Sequence, residues 1–129
     1  MASVEIRGYR ELVIWKRSME LVLMVYKLIR RLPKEENYAL SDQIRRAVVS
    51  IPSNIAEGNG RASAKEYIRF LCIARGSKNE IETQLLICVQ LHYLTENEIQ
   101  PALNLCDEIG RMLNALIARL DKQGNRVGQ

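Results

Sequence analysis

An all-α fold, an antiparallel up-down-up-down four-helix bundle, is predicted by three features of the chain. Four long stretches carry apolar residues three and four apart, two of them open with capping boxes, and the connections between them are short and polar. Apolar residues at that spacing fall on one face of a helix. Short connections make sequential helices antiparallel neighbours. A length of 129 residues suits one core, and 47% hydrophobic content with only 5% aromatic makes that core aliphatic. We expect a single domain over residues 1–129.

The first helix is expected over about 10–32, stopped by Pro33. Leu12, Trp15, Met19, Val22, Tyr26 and Ile29 form a heptad-like stripe that we read as its core face. Leu21, Val25, Leu28 and Leu32 make a second apolar stripe beside it, widened by Leu23 and Met24. The second helix, about 38–58, places Ile44, Ala47, Val48, Ile51 and Ile55 on one face, with Pro52 inside the same rhythm. A proline there removes one backbone hydrogen bond and costs about 3 kcal/mol unless neighbours compensate. Ser50, Ser53 and Asn54 are placed to bond carbonyls around a kink at Pro52. Gly58 is expected to end the helix in the left-handed conformation.

The third helix, about 64–93, opens with Ser63 and Glu66, each able to satisfy a free backbone donor at the other's position. Tyr67, Phe70, Ala74, Ile81, Leu85 and Cys88 are its expected core face. Thr95 and Glu98 repeat the capping box for the fourth helix, about 96–121, with Ile99, Leu103, Cys106, Ile109, Leu113, Leu116 and Leu120 facing inward. Residues 122–129 are polar and glycine-containing, and a frayed tail is expected. Within the third helix the polar run Gly76 to Gln84 stands out. Gly76 and Ser77 would let a neighbouring backbone approach near Pro52, with Asn54, Glu57, Asn79 and Glu80 forming a hydrogen-bonded network that fixes helix register. A ligand or ion pocket at the same place is the functional alternative.

Two passages, QIRRAVVSIPSNIAEGNGR from Gln43 and KEYIRFLCIARGSKNEIETQL from Lys65, closely resemble the four-helix-bundle proteins encoded in intervening sequences of 23S ribosomal RNA genes. Leu12 to Tyr26 and Glu108 to Leu120 resemble the first and last helices of that family, so the likeness spans roughly residues 9–121. The family is similar in architecture to the accessory variability determinant proteins of diversity-generating retroelements. That likeness implies a homopentameric ring that binds nucleic acid and a reverse transcriptase.

The apolar residues themselves point to self-assembly. Besides the second stripe of helix one, Ile68, Cys72, Leu86, Val89, Leu105, Met112 and Ile117 lie off the main core faces. Soluble monomers rarely expose contiguous apolar patches beyond a few hundred Å². We expect a homo-oligomer, the resemblance favouring five subunits; a wide monomer core with scattered exposed apolar residues is the alternative.

Charge is unevenly spread. Residues 1–34 hold eight Lys or Arg against three Glu, whereas 35–129 hold eleven against twelve acids, so the first quarter carries the whole excess behind the net +4. Lys27, Arg30, Arg31 and Lys34 gather at the end of helix one; Arg45, Arg46, Arg61, Lys65 and Arg69 are assigned to the region of the helix two to three connection. Cations at a helix C-terminus also complement its dipole, the plainer explanation for one subunit. A ring repeats each patch, and every phosphate neutralised adds salt-dependent affinity. We therefore name Lys27, Arg30, Arg31, Lys34, Arg45, Arg46, Arg61 and Lys65 as candidate contacts to an RNA or DNA backbone. Aromatic residues are few and mostly at core positions, so base stacking is not expected.

Other functions fit poorly. His92 is the only histidine and has Val89 three residues before it, so neither a Glu-x-x-His di-metal pattern nor a Ser-His-Asp arrangement is present. Gly58 and Gly60 follow a helix and lack the Gly-Lys-Ser/Thr ending of a phosphate-binding loop. No enzyme activity, metal or cofactor is expected. Cys72, Cys88 and Cys106 are odd in number and set among apolar residues, which predicts buried free thiols. No run reaches the roughly 18 apolar residues of a membrane span, and no signal-peptide pattern opens the chain, so a cytoplasmic protein without a membrane partner is expected. Two function classes remain: a nucleic-acid-binding accessory scaffold that serves a reverse transcriptase, and a protein-interaction or structural ring with no nucleic-acid role.

Overall fold

The computed structural model describes residues 8–127. Four helices account for most of them: α1 (Val13–Ile29), α2 (Leu40–Asn59), α3 (Ala64–Gln90) and α4 (Glu96–Val127). Short 3-10 turns, Gly8–Glu11 and Lys34–Glu36, precede α1 and α2. Each helix packs on its neighbours in sequence, and α4 closes back on α1. Among the described residues the backbone of α1 does not approach that of α3, nor that of α2 approach α4, so those pairs occupy diagonal corners of the bundle.

The core is aliphatic and continuous through all four helices. Leu21, Val25, Ile44, Val48, Ile51, Ile55, Leu71, Ile81, Leu85, Ile109 and Leu113 are fully buried. Each such side chain contributes about 1.5–3 kcal/mol relative to exposure. All five apolar residues expected on the inner face of α2 are buried. In α3 the inward set includes Ala74, Ile81, Leu85 and Cys88 as expected, with Leu71 fully buried and Tyr67 and Phe70 only half-buried.

The register of α1 differs from expectation. Its buried line is Ile14, Ser18, Leu21, Val25 and Ile29, while Met19 and Tyr26 are exposed and Leu12, Trp15 and Val22 are half-buried. The inner face thus follows the second apolar stripe, through Leu21 and Val25, and not the heptad-like one. Ser18 conceals it, because its hydroxyl donates to the Ile14 carbonyl at 2.8 Å. A serine that satisfies itself within its own helix can sit in a core without an unpaired polar atom.

The α4 capping box forms in full and the α3 one in half, the Glu66 carboxylate turning to Arg69 instead of the Ser63 amide. The Glu66 amide donates to Ser63 Oγ at 3.1 Å. Thr95 and Glu98 satisfy one another, the Glu98 amide bonding Thr95 Oγ1 at 3.2 Å and the Thr95 amide bonding Glu98 Oε1 at 2.8 Å. α2 ends one residue later than expected, and Gly60 beyond it is right-handed, so Gly58 is not the left-handed cap. α4 runs to Val127 instead of fraying from residue 122; Gly128 and Gln129 lie outside the described residues.

His92 holds a role usually given to glycine. Its φ is +63°, its amide donates to the Val89 carbonyl at 3.0 Å, and the Tyr93 amide donates to the Cys88 carbonyl at 2.9 Å. This pair of bonds is the Schellman closure of α3. The left-handed conformation costs an L-residue roughly 1–2 kcal/mol. His92→Gly is therefore expected to raise stability by about 0.5–1 kcal/mol, read as a higher urea midpoint.

Candidate nucleic-acid interface

Because α1 and α2 run antiparallel, the last turns of α1 lie beside the first turns of α2, and this geometry sorts the cations. Lys27 on α1, Arg30 at its C-cap, Lys34 in the connection, and Arg45 and Arg46 on α2 surround Tyr26. One groove of about 280 Å³ runs over Tyr26, Arg30, Lys34, Asn37 and Arg45. A second, of about 480 Å³, continues from Tyr26 across Arg45, Arg46 and Ser50. Glu20 and Asp42 are the acids that line these surfaces.

The connection carrying Lys34 is held at several points. Arg45 Nη2 donates to the Asn37 carbonyl at 2.8 Å. Glu36 accepts from the Leu40 amide at 3.3 Å and from the Tyr93 hydroxyl at 2.7 Å, which ties the loop to the end of α3. That hydrogen bond to a carboxylate pushes the Tyr93 phenol above its ordinary pKa. Arg46 pairs with Asp42 at 3.0 Å but keeps 80% of its side chain exposed. Such a surface pair is worth about 1 kcal/mol or less and leaves the guanidinium open to a phosphate.

The remaining cations divide differently from the sequence expectation. Arg31 turns to the other side of α1 and pairs with Glu98 at the start of α4. Arg61 and Arg69 stand at the far end of α2, about 20 Å from Arg46 at the rise of a helix, with their guanidinium carbons 4.9 and 4.5 Å from the centre of the Phe70 ring. Arg61 also pairs with Glu57, and Arg69 with Glu66, whose carboxyl that hydrogen bond holds below its ordinary value. Lys65 is exposed beside Asp121. So Arg45 and Arg46 belong with the end of α1, not with the α2–α3 connection.

The polar network around Pro52 also has other members. Asn54 donates to the Ser50 carbonyl at 2.8 Å and to Ser50 Oγ at 2.9 Å, and Ser50 Oγ meets Ser77 Oγ across the helix interface at 2.8 Å. Asn54 and Ser77 are therefore joined through Ser50. Glu57, Asn79 and Glu80 are exposed and outside this network. Ser77 faces α2, and a residue two positions on is turned roughly 200° round the helix, which carries Asn79 to solvent. Gly76 is exposed, with nothing within 4 Å of where a Cβ would stand, so no neighbouring backbone approaches it. Gly58 is the close approach: a Cβ there would lie 2.8 Å from Phe70 Cβ.

Of the thiols, Cys88 and Cys106 are buried and free, and burial pushes them up to about 11 and about 12. Cys72, expected to be buried, is exposed, with Arg75 Nη2 3.6 Å from its sulfur. Among the described residues no three His, Cys, Asp or Glu gather as metal ligands, and no helix is long and apolar enough to cross a membrane.

The family model described as 23S rRNA-intervening sequence protein matches residues 10–115. The chain belongs to that family. Among solved structures it is similar to a protein of unknown function from the S23 ribosomal protein family of Bacteroides thetaiotaomicron VPI-5482, at 28% identity and a TM-score of 0.75, over 81% of this chain and 98% of that one. No curated protein matches. The matched span of the intervening-sequence family contains Tyr26 and every cation around it.

Tyr26 and Tyr38, expected mainly at core positions, are 36% and 97% exposed. For Tyr26 a sequence signal is present: it continues the spacing of Met19 and Leu23, both exposed, and Lys27 and Arg30 follow at one and four residues. An aromatic so flanked lies on the charged side of its helix.

Proposed function

We propose that this protein is a non-catalytic, homo-oligomeric accessory protein that holds RNA or DNA by its phosphates. The observation that carries this reading is the convergence of Lys27, Arg30, Lys34, Arg45 and Arg46 from three segments onto one grooved surface lined by two acids, with Glu35 and Glu36 next to Lys34 in the connection. Five cations on one surface provide a multi-phosphate contact that duplication in an oligomer would repeat. The likeness to retroelement accessory proteins extends the proposal to a reverse transcriptase as the enzyme served and to five as the subunit count.

Support for self-assembly comes from an exposed apolar face at the α3 corner of the bundle. Ile73 and Ile87 on α3 and Leu91 just beyond its end share this face, away from the cations at the end of α1. Association of such a face with a different surface of the next subunit is head-to-tail, and it closes into a ring when its rotation permits. Ile73 is 42% exposed and outside the buried core, so Ile73→Asp spares that core. It is expected to reduce the mass to a single subunit while leaving helix content unchanged, checked by light scattering and circular dichroism.

Light-scattering mass on a sizing column, with and without a structured RNA at low and moderate salt, tests the whole proposal. A multimer that shifts with RNA and releases it as salt rises is expected. A multimer indifferent to RNA would favour an interaction ring with no nucleic-acid role, and a monomer would overturn the self-assembly argument.

A further inference from the structure

Guanidinium groups stack on Tyr9 and Phe70, but among the described residues none stacks on Tyr26 or Tyr38. These rings stand in and beside the surface where Lys27, Arg30, Lys34, Arg45 and Arg46 gather. Tyr26 is common to the grooves on either side of it, and Tyr38 follows Asn37, a lining residue of one of them. Tyr26, held among five cations, lacks the guanidinium cover of Tyr9 and Phe70 and is 36% exposed. Tyr38, 97% exposed, serves no packing.

From this juxtaposition we propose that the groove takes single-stranded nucleic acid, with a base stacked on Tyr26 and another on Tyr38 while the cations follow the phosphates. The inference rests on the nucleic-acid reading above and names its substrate class. In a duplex the faces of the bases are already stacked on one another, so a tyrosine in a groove can meet only an unpaired base. Stacking of this kind tolerates any base, because every base offers a π-face, and it combines with a basic channel in proteins that bind single strands. Sequence preference is accordingly small.

The test uses the full chain and two probes, a homopolymeric single-stranded oligonucleotide and a hairpin-free duplex of equal length, each titrated over a range of salt. Tyr26→Ala is expected to weaken single-strand binding about tenfold with the salt slope unchanged, since stacking releases no counterions. Tyr38→Ala is expected to do the same in a subunit whose core is untouched, which keeps the test valid should Tyr26→Ala fail to fold. Tyr26→Trp is expected to retain binding, and the fluorescence it introduces to be quenched by the single strand. Duplex binding is expected to be unmoved by all three. If both alanine variants bind the single strand as tightly as wild type while a charge-reversed variant does not, stacking is overturned and phosphate binding stands. If charge reversal is silent as well, both readings fall. A fall in assembly mass for Tyr26→Ala would place that ring at a subunit interface and also overturn the proposal.

Discussion

Gly58→Leu is expected to cost about 3 kcal/mol or more, enough to unfold a large fraction of a marginally stable domain. Gly58 is buried in α2, and a Cβ there would sit 2.8 Å from Phe70 Cβ, 2.9 Å from Tyr67 Cδ1 and 3.2 Å from the Tyr67 carbonyl oxygen. Phe70 Cβ and the Tyr67 carbonyl are fixed by the backbone of α3 and cannot swing aside. Even Gly58→Ala, which gains about 1 kcal/mol of helix propensity, is expected to lose more through overpacking, for a net loss of about 1 kcal/mol. Gly76 is the matched control: it lies within α3 with open space around it, so Gly76→Ala is expected to gain about 0.5–1 kcal/mol. Urea unfolding of the three variants checks both signs. A raised midpoint for Gly58→Ala would contradict the packing argument.

The second large effect concerns binding. Reversing Lys27, Arg30 and Arg46 together to glutamate is expected to lower RNA affinity on the order of 100-fold near 0.1 M salt, and to make the salt dependence shallower by about one unit of slope for each phosphate no longer neutralised. Lys27, Arg30 and Arg46 are exposed, so the fold is expected to survive. Arg45 is left intact because its bond to the Asn37 carbonyl holds the connection in place. Reversal of Arg61 and Lys65 at the other end of α2 is the comparison, and a small effect is expected there because Arg61 is occupied by Glu57 and Phe70. Equal losses of affinity from the two sets, measured by titration at several salt concentrations, would contradict the placement of the site.

How far the sequence revealed this molecule depended on whether a local rule decided the matter. The inner face of α2, the Ser63 cap of α3 and the capping box of α4 follow from spacing and from hydrogen bonds within one turn, and they were legible. The face of α1 was not, because its apolar stripes overlap and the buried one contains Ser18, whose bond to Ile14 cannot be seen in a hydropathy pattern. Gly58 and Gly76 exchange roles for a related reason. Each is a glycine near a polar run, and only the antiparallel pairing of α2 with α3 brings Phe70 against the first and leaves the second open. The cations are identifiable by residue type, but their grouping requires the tertiary pairing of α1 with α2, which moves Arg45 and Arg46 away from Arg61 and turns Arg31 toward Glu98. The exposure of Tyr26 is signalled only by the cations that follow it and that of Tyr38 by nothing, because aromatic residues in an aliphatic bundle are ordinarily core.

The most direct test of the central claim is the affinity of the unmodified protein for RNA as a function of salt. With five cations on one subunit surface, the logarithm of the binding constant is expected to fall linearly with the logarithm of salt concentration, with a slope of about −3 or steeper. Binding that is absent at low salt, or indifferent to salt, would contradict it.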